Sequence, residues 1–206
     1  MPPINWNTFS GELSFLFVGV GGQGIILASD ILAGVGLKLG LDVKKAEIHG
    51  MSQRGGSVLS QVRWGAKVFS PIIGKGGGDF MIAFEKLEAL RFCDYLKKDA
   101  RVLLNDGAIL PIPVIQGEAS YPTNTQIVEA LSSITRNVVW VNGTWLAEQL
   151  GNPRLTNVIL LGALAQWLGL PDEVVLEAIT ERVPETYLAQ NREAYFLGNH
   201  LPISQM

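Results

Sequence analysis

The stretch FLFVGVGGQGIILASDILAGVG, residues 15–36, holds an apolar run, a glycine cluster and a second apolar run in direct succession. The first run predicts a buried strand over Ser14–Val20, and the second predicts a helix over Ile25–Leu39. Between them, Gly19-x-Gly21-x-x-Gly24 has the spacing of a phosphate-binding turn, in which glycines allow a tight bend and close approach of a ligand. Free N–H groups at the helix start favour an anion there. The same turn also serves, without any ligand, as a plain strand-to-helix connection.

Strands and helices alternate through the rest of the chain. Strands are predicted at Asp42–Ile48, Ser57–Trp64, Asp79–Phe84, Arg101–Asn105 and Val138–Val141, with a brief partner strand at Lys67–Phe69. Helices are predicted at Lys86–Leu96, after a Thr123 cap completed by Gln126, at Trp145–Leu150 and Thr156–Trp167, and after Pro171 and Pro184 as first helical residues. Asn157, near the start of an apolar helix, is expected to make a helix-start hydrogen bond. The alternation predicts an α/β, Rossmann-like fold: a mainly parallel sheet with helices on both faces and a helical C-terminal third.

A second glycine-bearing loop, HGMSQRGGSV, follows the second predicted strand. If the first two strands are parallel neighbours, both loops emerge at the carboxyl edge of the sheet, where open α/β sheets bind ligands. Arg54 supplies a permanent cation, Ser52 and Gln53 supply polar groups, and Gly55-Gly56 gives the backbone freedom beside them. The alternative is an ordered surface loop in which Arg54 pairs with a nearby carboxylate.

The two loops together form the candidate cofactor-binding site. Its members are Gly19, Gly21, Gly22, Gln23, Gly24, Ser52, Gln53, Arg54, Gly55 and Gly56. A dinucleotide would also need an acidic residue near the end of the second strand, and Glu47 is placed for that role, although it could instead orient the loop after it. No catalytic residue is assigned, because no nucleophile with a base partner accompanies His49.

Composition and charge exclude several classes of protein. The 206 residues carry a formal net charge of −3 and a pI near 5.4, which leaves no basic stripe for nucleic acid. One cysteine, Cys93, and two histidines supply neither an internal disulfide nor a metal-ligand set. The Phe15–Leu37 stretch is long enough to span a bilayer, but Gln23, Asp30 and the glycines favour a strand and a helix. The N-terminus lacks the pattern of a signal peptide, so we expect a cytoplasmic protein without a membrane partner.

Three stretches resemble a known family: GVGGQGIILAS, AEIHGMSQRGGSVLSQVRWGAKVFSP and NPRLTNVILLGAL. They are similar to the gamma subunit, or gamma domain, of the 2-oxoacid:ferredoxin oxidoreductases. HGMSQRGGSV followed by VFSPII most resembles the small (beta) subunit of the indolepyruvate-type members. The resemblance runs from about Phe15 to Gly198, so we expect a single gamma-type domain over residues 1–206, with its core at about 14–198 and short tails.

The resemblance implies a subunit of an oxidoreductase that is inactive alone. In this family a thiamine-diphosphate enzyme decarboxylates a 2-oxoacid oxidatively, passing electrons through iron–sulfur clusters to ferredoxin and the acyl group to coenzyme A. Thiamine diphosphate and the clusters lie in partner subunits, so the glycine loops of this chain are expected to bind either coenzyme A or a partner subunit. An isolated chain with an exposed apolar face would be able to form a homodimer. Two alternatives stay open: a free-standing NAD(P)-dependent dehydrogenase, which Glu47 favours, and a purely structural assembly subunit.

Overall fold

A computed structural model describes residues 4–49 and 55–202 of the chain. Six strands and eight α-helices make up its regular structure, with short 3-10 turns at Trp6–Thr8, Cys93–Tyr95 and Pro153–Leu155. The strands are β1 (Glu12–Val20), β2 (Asp42–His49), β3 (Ser57–Gly65), β4 (Gly78–Ala83), β5 (Leu96–Asn105) and β6 (Asn137–Val141). The helices are α1 (Ile25–Lys38), α2 (Lys86–Arg91), α3 (Ile112–Ile115), α4 (Asn124–Ser132), α5 (Gly143–Gln149), α6 (Thr156–Leu168), α7 (Asp172–Thr180) and α8 (Glu185–Asn199).

The strands form one sheet in the order β2-β3-β1-β4-β5-β6. Pairs β1–β4, β4–β5 and β5–β6 are parallel, whereas β3 lies antiparallel between β1 and β2. The predicted mainly parallel α/β sheet is therefore confirmed. The expectation that the first two strands are neighbours is wrong, because β2 and β3 are joined by a short loop and pair as a hairpin, which inserts β3 between them. Since β2 still runs in the direction of β1, both strands end at the same edge.

Helices cover both faces of the sheet, as predicted. Strand β1 is buried along almost its whole length, and its alternate side chains enter different cores. Phe15 and Phe17 pack with α1 and the C-terminal helices, while Leu16 and Val18 pack with α2 and α4. A strand covered on both faces buries successive side chains, which is why Phe15–Val20 of β1 is an unbroken apolar run in the sequence.

Three local predictions need correction. No strand forms at Lys67–Phe69, because the Val68 N–H donates to the Asp42 side chain at 2.8 Å and joins no ladder. The helix predicted to reach Leu96 ends at Arg91, since Leu96 already pairs with Gly78 in the sheet. Pro171 and Pro184 occupy the N-cap positions of α7 and α8 with extended ψ angles, one residue before the helix proper.

The C-terminal helices pack closely against one another. Gly162 of α6 and Gly198 of α8 lie where the two helices cross, and a Cβ at either glycine would overlap backbone atoms of the other helix. Glycine at both positions therefore lets the two backbones touch. No helix in the described ranges combines the length and apolar character that crossing a membrane requires.

Candidate functional site

The two glycine loops meet at the carboxyl edge of the sheet. The Gly21 N–H donates to the Gly56 carbonyl at 2.8 Å, and the Gly55 N–H donates to the Gly21 carbonyl at 3.4 Å. Gly55 has a φ of 78°, a conformation that favours glycine. Their predicted juxtaposition is thus present, although β3 and not a direct β1–β2 pair produces it. Ser52, Gln53 and Arg54 lie outside the described residues.

The glycines of the first loop have different roles. Gly19 lies within β1, and a Cβ there would stand 2.8 Å from side-chain atoms of both Ile25 and Phe84. Gly24 has a φ of 77°, and a Cβ on it would overlap the Asn157 amide. Gly22 has a φ of 107° and open space around its Cβ position. Gly19 and Gly24 are required for packing, whereas Gly22 combines a glycine-favouring backbone with an open surface.

Gln23 braces the turn with both ends of its side chain. Its Oε1 accepts the Val20 N–H at 2.8 Å, and its Nε2 donates to the Phe84 carbonyl at 3.1 Å. The Phe84 carbonyl also accepts a hydrogen bond of 2.9 Å from the buried Asn105 side chain. The glutamine therefore ties the end of β1 to the end of β4, a role for which the sequence offers no local signal.

Helix α1 begins at the turn without a side-chain cap at its N-cap residue, Gly24. Its first N–H groups concentrate partial positive charge at this edge of the sheet. The buried Asn157 side chain instead donates from Nδ2 to the Gly24 carbonyl at 3.3 Å, while its Oδ1 accepts the Val158 N–H at 2.8 Å. The expected hydrogen bond at the start of α6 is present, and the same side chain also holds the glycine turn.

Two cavities of about 340 and 310 Å³ flank the turn, and Gly22, Gln23 and Arg154 line both of them. Apolar groups of the larger cavity come from Leu27, Leu155, Val183, Pro184 and Tyr187, and amide groups from Asn152, Asn157 and Asn191. The smaller cavity is completed by Gly107, Ala108, Ile109, Thr144, Pro153 and Thr156. An apolar wall, several amides and one cation next to a helix N-terminus suit an anionic ligand with an apolar or aromatic part.

Arg154 is the cation at this shared rim. Its side chain is exposed, and it makes no ion pair or hydrogen bond with any part of the chain that the structure describes. Asn152 caps the 3-10 turn that carries it, accepting the Arg154 N–H at 3.1 Å. The sequence analysis did not assign Arg154 to the site, because it lies some 130 positions from the glycine turn. The segment that contains it, NPRLTN, was noted only as part of the family resemblance.

Acidic side chains near the site are engaged in contacts. Glu47 lies on β2, two strands away from β1, and pairs with Lys45 at 2.5 Å. A dinucleotide site requires its acidic residue on the strand next to β1, so this arrangement disfavours the dehydrogenase alternative. Glu85 and Glu88 are buried at the start of α2, and burial raises the pKa of Glu88.

Metal-ligating groups are sparse in the described ranges. Residues 4–49 and 55–202 hold no group of three or more His, Cys, Asp or Glu side chains that could bind a metal ion. Cys93 is a free, half-buried thiol, and burial raises its pKa, which lowers its reactivity. The polar groups that the structure describes at the carboxyl edge are the N–H groups of the glycine turn, amide side chains and the Arg154 guanidinium.

Comparison with known proteins identifies the class. The model of the pyruvate ferredoxin/flavodoxin oxidoreductase family matches residues 14–199, and the chain belongs to this family. The fold agrees with this assignment. The gamma subunit of a keto/oxoacid ferredoxin oxidoreductase from Geobacter sulfurreducens superposes with a TM-score of 0.68 at 21% identity, over 92% of this chain and 95% of that one. The expected family and the expected gamma-type fold are both confirmed.

Relatives with higher sequence identity indicate one type of enzyme within this family. The chain is 41% identical to indolepyruvate oxidoreductase subunit IorB of Archaeoglobus fulgidus, over 94% of this chain and 96% of that protein. It is 39% identical to the subunit of the same name from Pyrococcus horikoshii, over 91% and 94% of the two chains. The 2-oxoglutarate:ferredoxin oxidoreductase of Magnetococcus marinus, solved with 2-oxoglutarate, coenzyme A and succinyl-CoA bound, contains the same fold in 32% of its chain, with a TM-score of 0.69 and 20% identity.

Proposed function

We propose that this chain is the non-thiamine subunit of an indolepyruvate-type 2-oxoacid ferredoxin oxidoreductase of the cytoplasm. The observation that carries the proposal is the 41% identity to an indolepyruvate oxidoreductase subunit along nearly the full length of both chains. A single cysteine cannot supply the four thiolates of an iron–sulfur cluster. The clusters and thiamine diphosphate are therefore assigned to a partner subunit, and ferredoxin meets this chain only indirectly.

The overall reaction converts one 2-oxoacid and one coenzyme A to an acyl-CoA and carbon dioxide, with two electrons passed to ferredoxin and one proton released. Thiamine diphosphate in the partner subunit supplies the carbanion chemistry of decarboxylation. This chain binds and orients the thiol-bearing cosubstrate. Holding its charged part at a fixed edge leaves the thiol end in place for acyl transfer.

The proposed coenzyme A site lies on the glycine turn. Gly22 and the uncapped start of α1 provide N–H groups for phosphate, and Arg154 stands at the rim with a free guanidinium among the described residues. Gly55 and Gly56 join their loop to Gly21, so we assign Ser52, Gln53 and Arg54 of that loop to the same site. The apolar side of the larger cavity suits the nucleoside.

Assembly with the partner subunit is assigned to the same edge. Exposed apolar side chains cluster on the segment after β5, where Ile109, Leu110, Ile112 and Ile115 are 42–69% exposed, and Trp145 is exposed on α5. An apolar surface of this kind is usual where a subunit contacts its partner. We expect the isolated chain to dimerise through it and the dimer to dissociate when the catalytic subunit is added, as measured by light scattering after size-exclusion chromatography.

Reconstitution tests the enzymatic assignment. The chain is co-expressed with its thiamine-bearing partner, and dye reduction is followed with indolepyruvate, pyruvate and 2-oxoglutarate, each with and without coenzyme A. We expect the highest kcat/KM with indolepyruvate and no activity from either subunit alone. A complex that prefers pyruvate or 2-oxoglutarate would contradict the substrate class.

Calorimetry tests the ligand site. We expect the complex to bind coenzyme A, and Arg154→Gln to weaken binding about tenfold, the usual cost of one charge-assisted hydrogen bond. Arg136→Gln is the matched control, because Arg136 is exposed at the opposite edge of the sheet, just before β6. NADH binding to the isolated chain would restore the dehydrogenase alternative. If neither coenzyme A nor NADH bound while the subunits associated tightly, the purely structural assembly role would be favoured.

A further inference from the structure

Helix α2 is six residues long, yet its start carries the only two carboxylates that are buried in the described part of the chain. Glu85 is 1% exposed and Glu88 is 4% exposed. Burying a carboxylate costs several kcal/mol unless hydrogen bonds replace the lost water. The partners of these two side chains therefore reveal what the fold gains from them.

Glu88 holds the base of the second glycine loop. The Ser57 hydroxyl donates to Glu88 Oε2, and the Arg91 guanidinium lies 3.2 Å from Oε1. Ser57 begins β3 opposite Val20, the last residue of β1, directly after the Gly55-Gly56 pair that bonds to Gly21. The Glu88–Ser57 contact thus fixes the point at which the second loop joins the sheet.

Glu85 contacts the segment that follows β5 at the same edge of the sheet. Its Oε1 accepts the Ile109 N–H at 3.2 Å and the Tyr121 hydroxyl, while its Oε2 accepts the Glu88 N–H at 2.9 Å. Ile109 lines the smaller cavity together with Gly22. Burial and the Glu85 carboxylate raise the pKa of Tyr121, so this phenol stays a donor. Glu85 thereby sets the position of the segment after β5.

Local helix capping does not account for this arrangement. A cap needs one acceptor for one N–H of the first turn, and serine, threonine, aspartate or asparagine supplies it at lower desolvation cost. Only the Glu88 N–H contact of Glu85 is of that kind. Apart from the Glu88–Arg91 ion pair within α2, the remaining bonds of Glu85 and Glu88 reach Ile109, Tyr121 and Ser57. These residues belong to the start of β3 and to the segment after β5, two strands on opposite sides of β1.

We propose that Glu85 and Glu88 are positioning residues: Glu88 fixes residues 55–57, at the start of β3, through Ser57, and Glu85 fixes the segment after β5 through Ile109 and Tyr121. Both contacts act on segments that flank the Gly21–Gly24 turn, where the proposed ligand binds. The identity of that ligand as coenzyme A rests on the proposed function, whereas the positioning itself is a property of the chain.

Hydrogen exchange on the full chain tests the positioning directly. Ser57→Ala and Glu88→Ala are expected to raise exchange about tenfold in peptides covering 55–60, and Glu85→Ala to do so in peptides covering 107–121. Glu85→Gln keeps one acceptor oxygen and should restore most of the protection. The matched control is Asp172→Ala, since Asp172 also accepts a tyrosine hydroxyl (Tyr195, 2.6 Å) but lines neither cavity beside the turn.

Kinetics of the assembled complex provide the second measurement. Glu85→Ala and Glu88→Ala are expected to raise KM for coenzyme A three- to tenfold with kcat changed less than twofold, while Asp172→Ala changes neither. Exchange that rises evenly over the chain, or only within α2, would overturn the proposal, and so would segment-specific exchange with an unchanged KM. A wild-type complex without any dependence on coenzyme A would refute the proposed function, and the exchange result would then decide the positioning alone.

Discussion

Glycines stand at both the turn after β1 and the crossing of α6 with α8, but they do opposite things there. At the crossing, Gly162 and Gly198 bring two helix backbones into contact, and no space is left for a side chain. At the turn, Gly22 has a glycine-favouring φ and nothing within 4 Å of its Cβ position. The helix crossing is tightly packed at its glycines, whereas the turn is open at Gly22.

This difference separates stability from binding. Close packing of α6 on α8 contributes to the free energy of unfolding, because any added atom forces the helices apart. Gly22 contributes little packing, but it leaves the N–H groups of the turn accessible from the two cavities. Glycine substitutions in the two regions should therefore affect different measurements.

The largest expected effect is at the crossing. Gly198→Ala places a Cβ onto the Ile159 carbonyl, and backbone cannot move aside as a side chain can. We expect a loss of about 3 kcal/mol in the free energy of unfolding, measured with urea. Gly34→Ala is the control, since its Cβ would stand 3.7 Å from Ala178, and that variant should be up to about 1 kcal/mol more stable. Equal stabilities of Gly198→Ala and Gly34→Ala would show that the helix crossing does not require glycine.

Gly24→Ala tests the packed side of the turn. The residue has a φ of 77°, and the new Cβ would overlap the Asn157 amide, so a loss of about 2 kcal/mol is expected. Adding Asn157→Ala removes the overlap. The double variant should then be about 1 kcal/mol more stable than the sum of the single changes predicts. If the losses in the free energy of unfolding were strictly additive, residues 24 and 157 would not be in steric conflict in Gly24→Ala.

Gly22→Ala tests the open side. Its φ of 107° disfavours alanine, but no atom blocks the Cβ, so only about 1 kcal/mol of stability should be lost. Binding of coenzyme A to the complex, measured by calorimetry, should weaken several-fold because the methyl group stands over the anion site. Gly198→Ala should show the reverse: lower stability with unchanged affinity under conditions where the protein is folded. An unchanged affinity of Gly22→Ala for coenzyme A would show that the ligand does not bind at the turn.

The smallest expected effect is a pH dependence at α2. Burial raises the pKa of Glu88 above its ordinary value of 4.5, so the folded chain holds this proton more tightly than the unfolded chain does. The carboxylate therefore lowers stability as pH rises above 4.5 and through the folded-state pKa, and acidification through that window removes the penalty.

Glu88→Gln should lack this dependence. The stability difference between the variant and the wild type should shift in favour of the variant as the pH rises from 4.5 to 8, as followed by urea unfolding. Glu185→Gln, at an exposed position at the start of α8, is the control and should show no such trend. A flat difference for Glu88→Gln would mean that burial does not penalise its carboxylate.

Local sequence patterns determined much of the fold. The apolar run of β1, the glycine cluster and α1 were predicted within two residues of their observed bounds, because each depends on burial and turn chemistry of adjacent residues. The Thr123–Gln126 capping box was predicted from its spacing, and both of its hydrogen bonds are present. The meeting of the two glycine loops was predicted correctly, although from a strand order that proved wrong.

Only the tertiary structure decided the rest. The insertion of β3, the Gln23 brace between β1 and β4, and the place of Arg154 at the rim all join segments that lie far apart in the chain. Glu85 is likewise only 1% exposed, because its partners Ile109 and Tyr121 come from a distant segment. Propensity and periodicity describe neighbours along the chain, whereas these features depend on which strands pair and which loops then face each other. The sequence by itself determined the elements and the turn, and the packing of those elements determined what surrounds the turn.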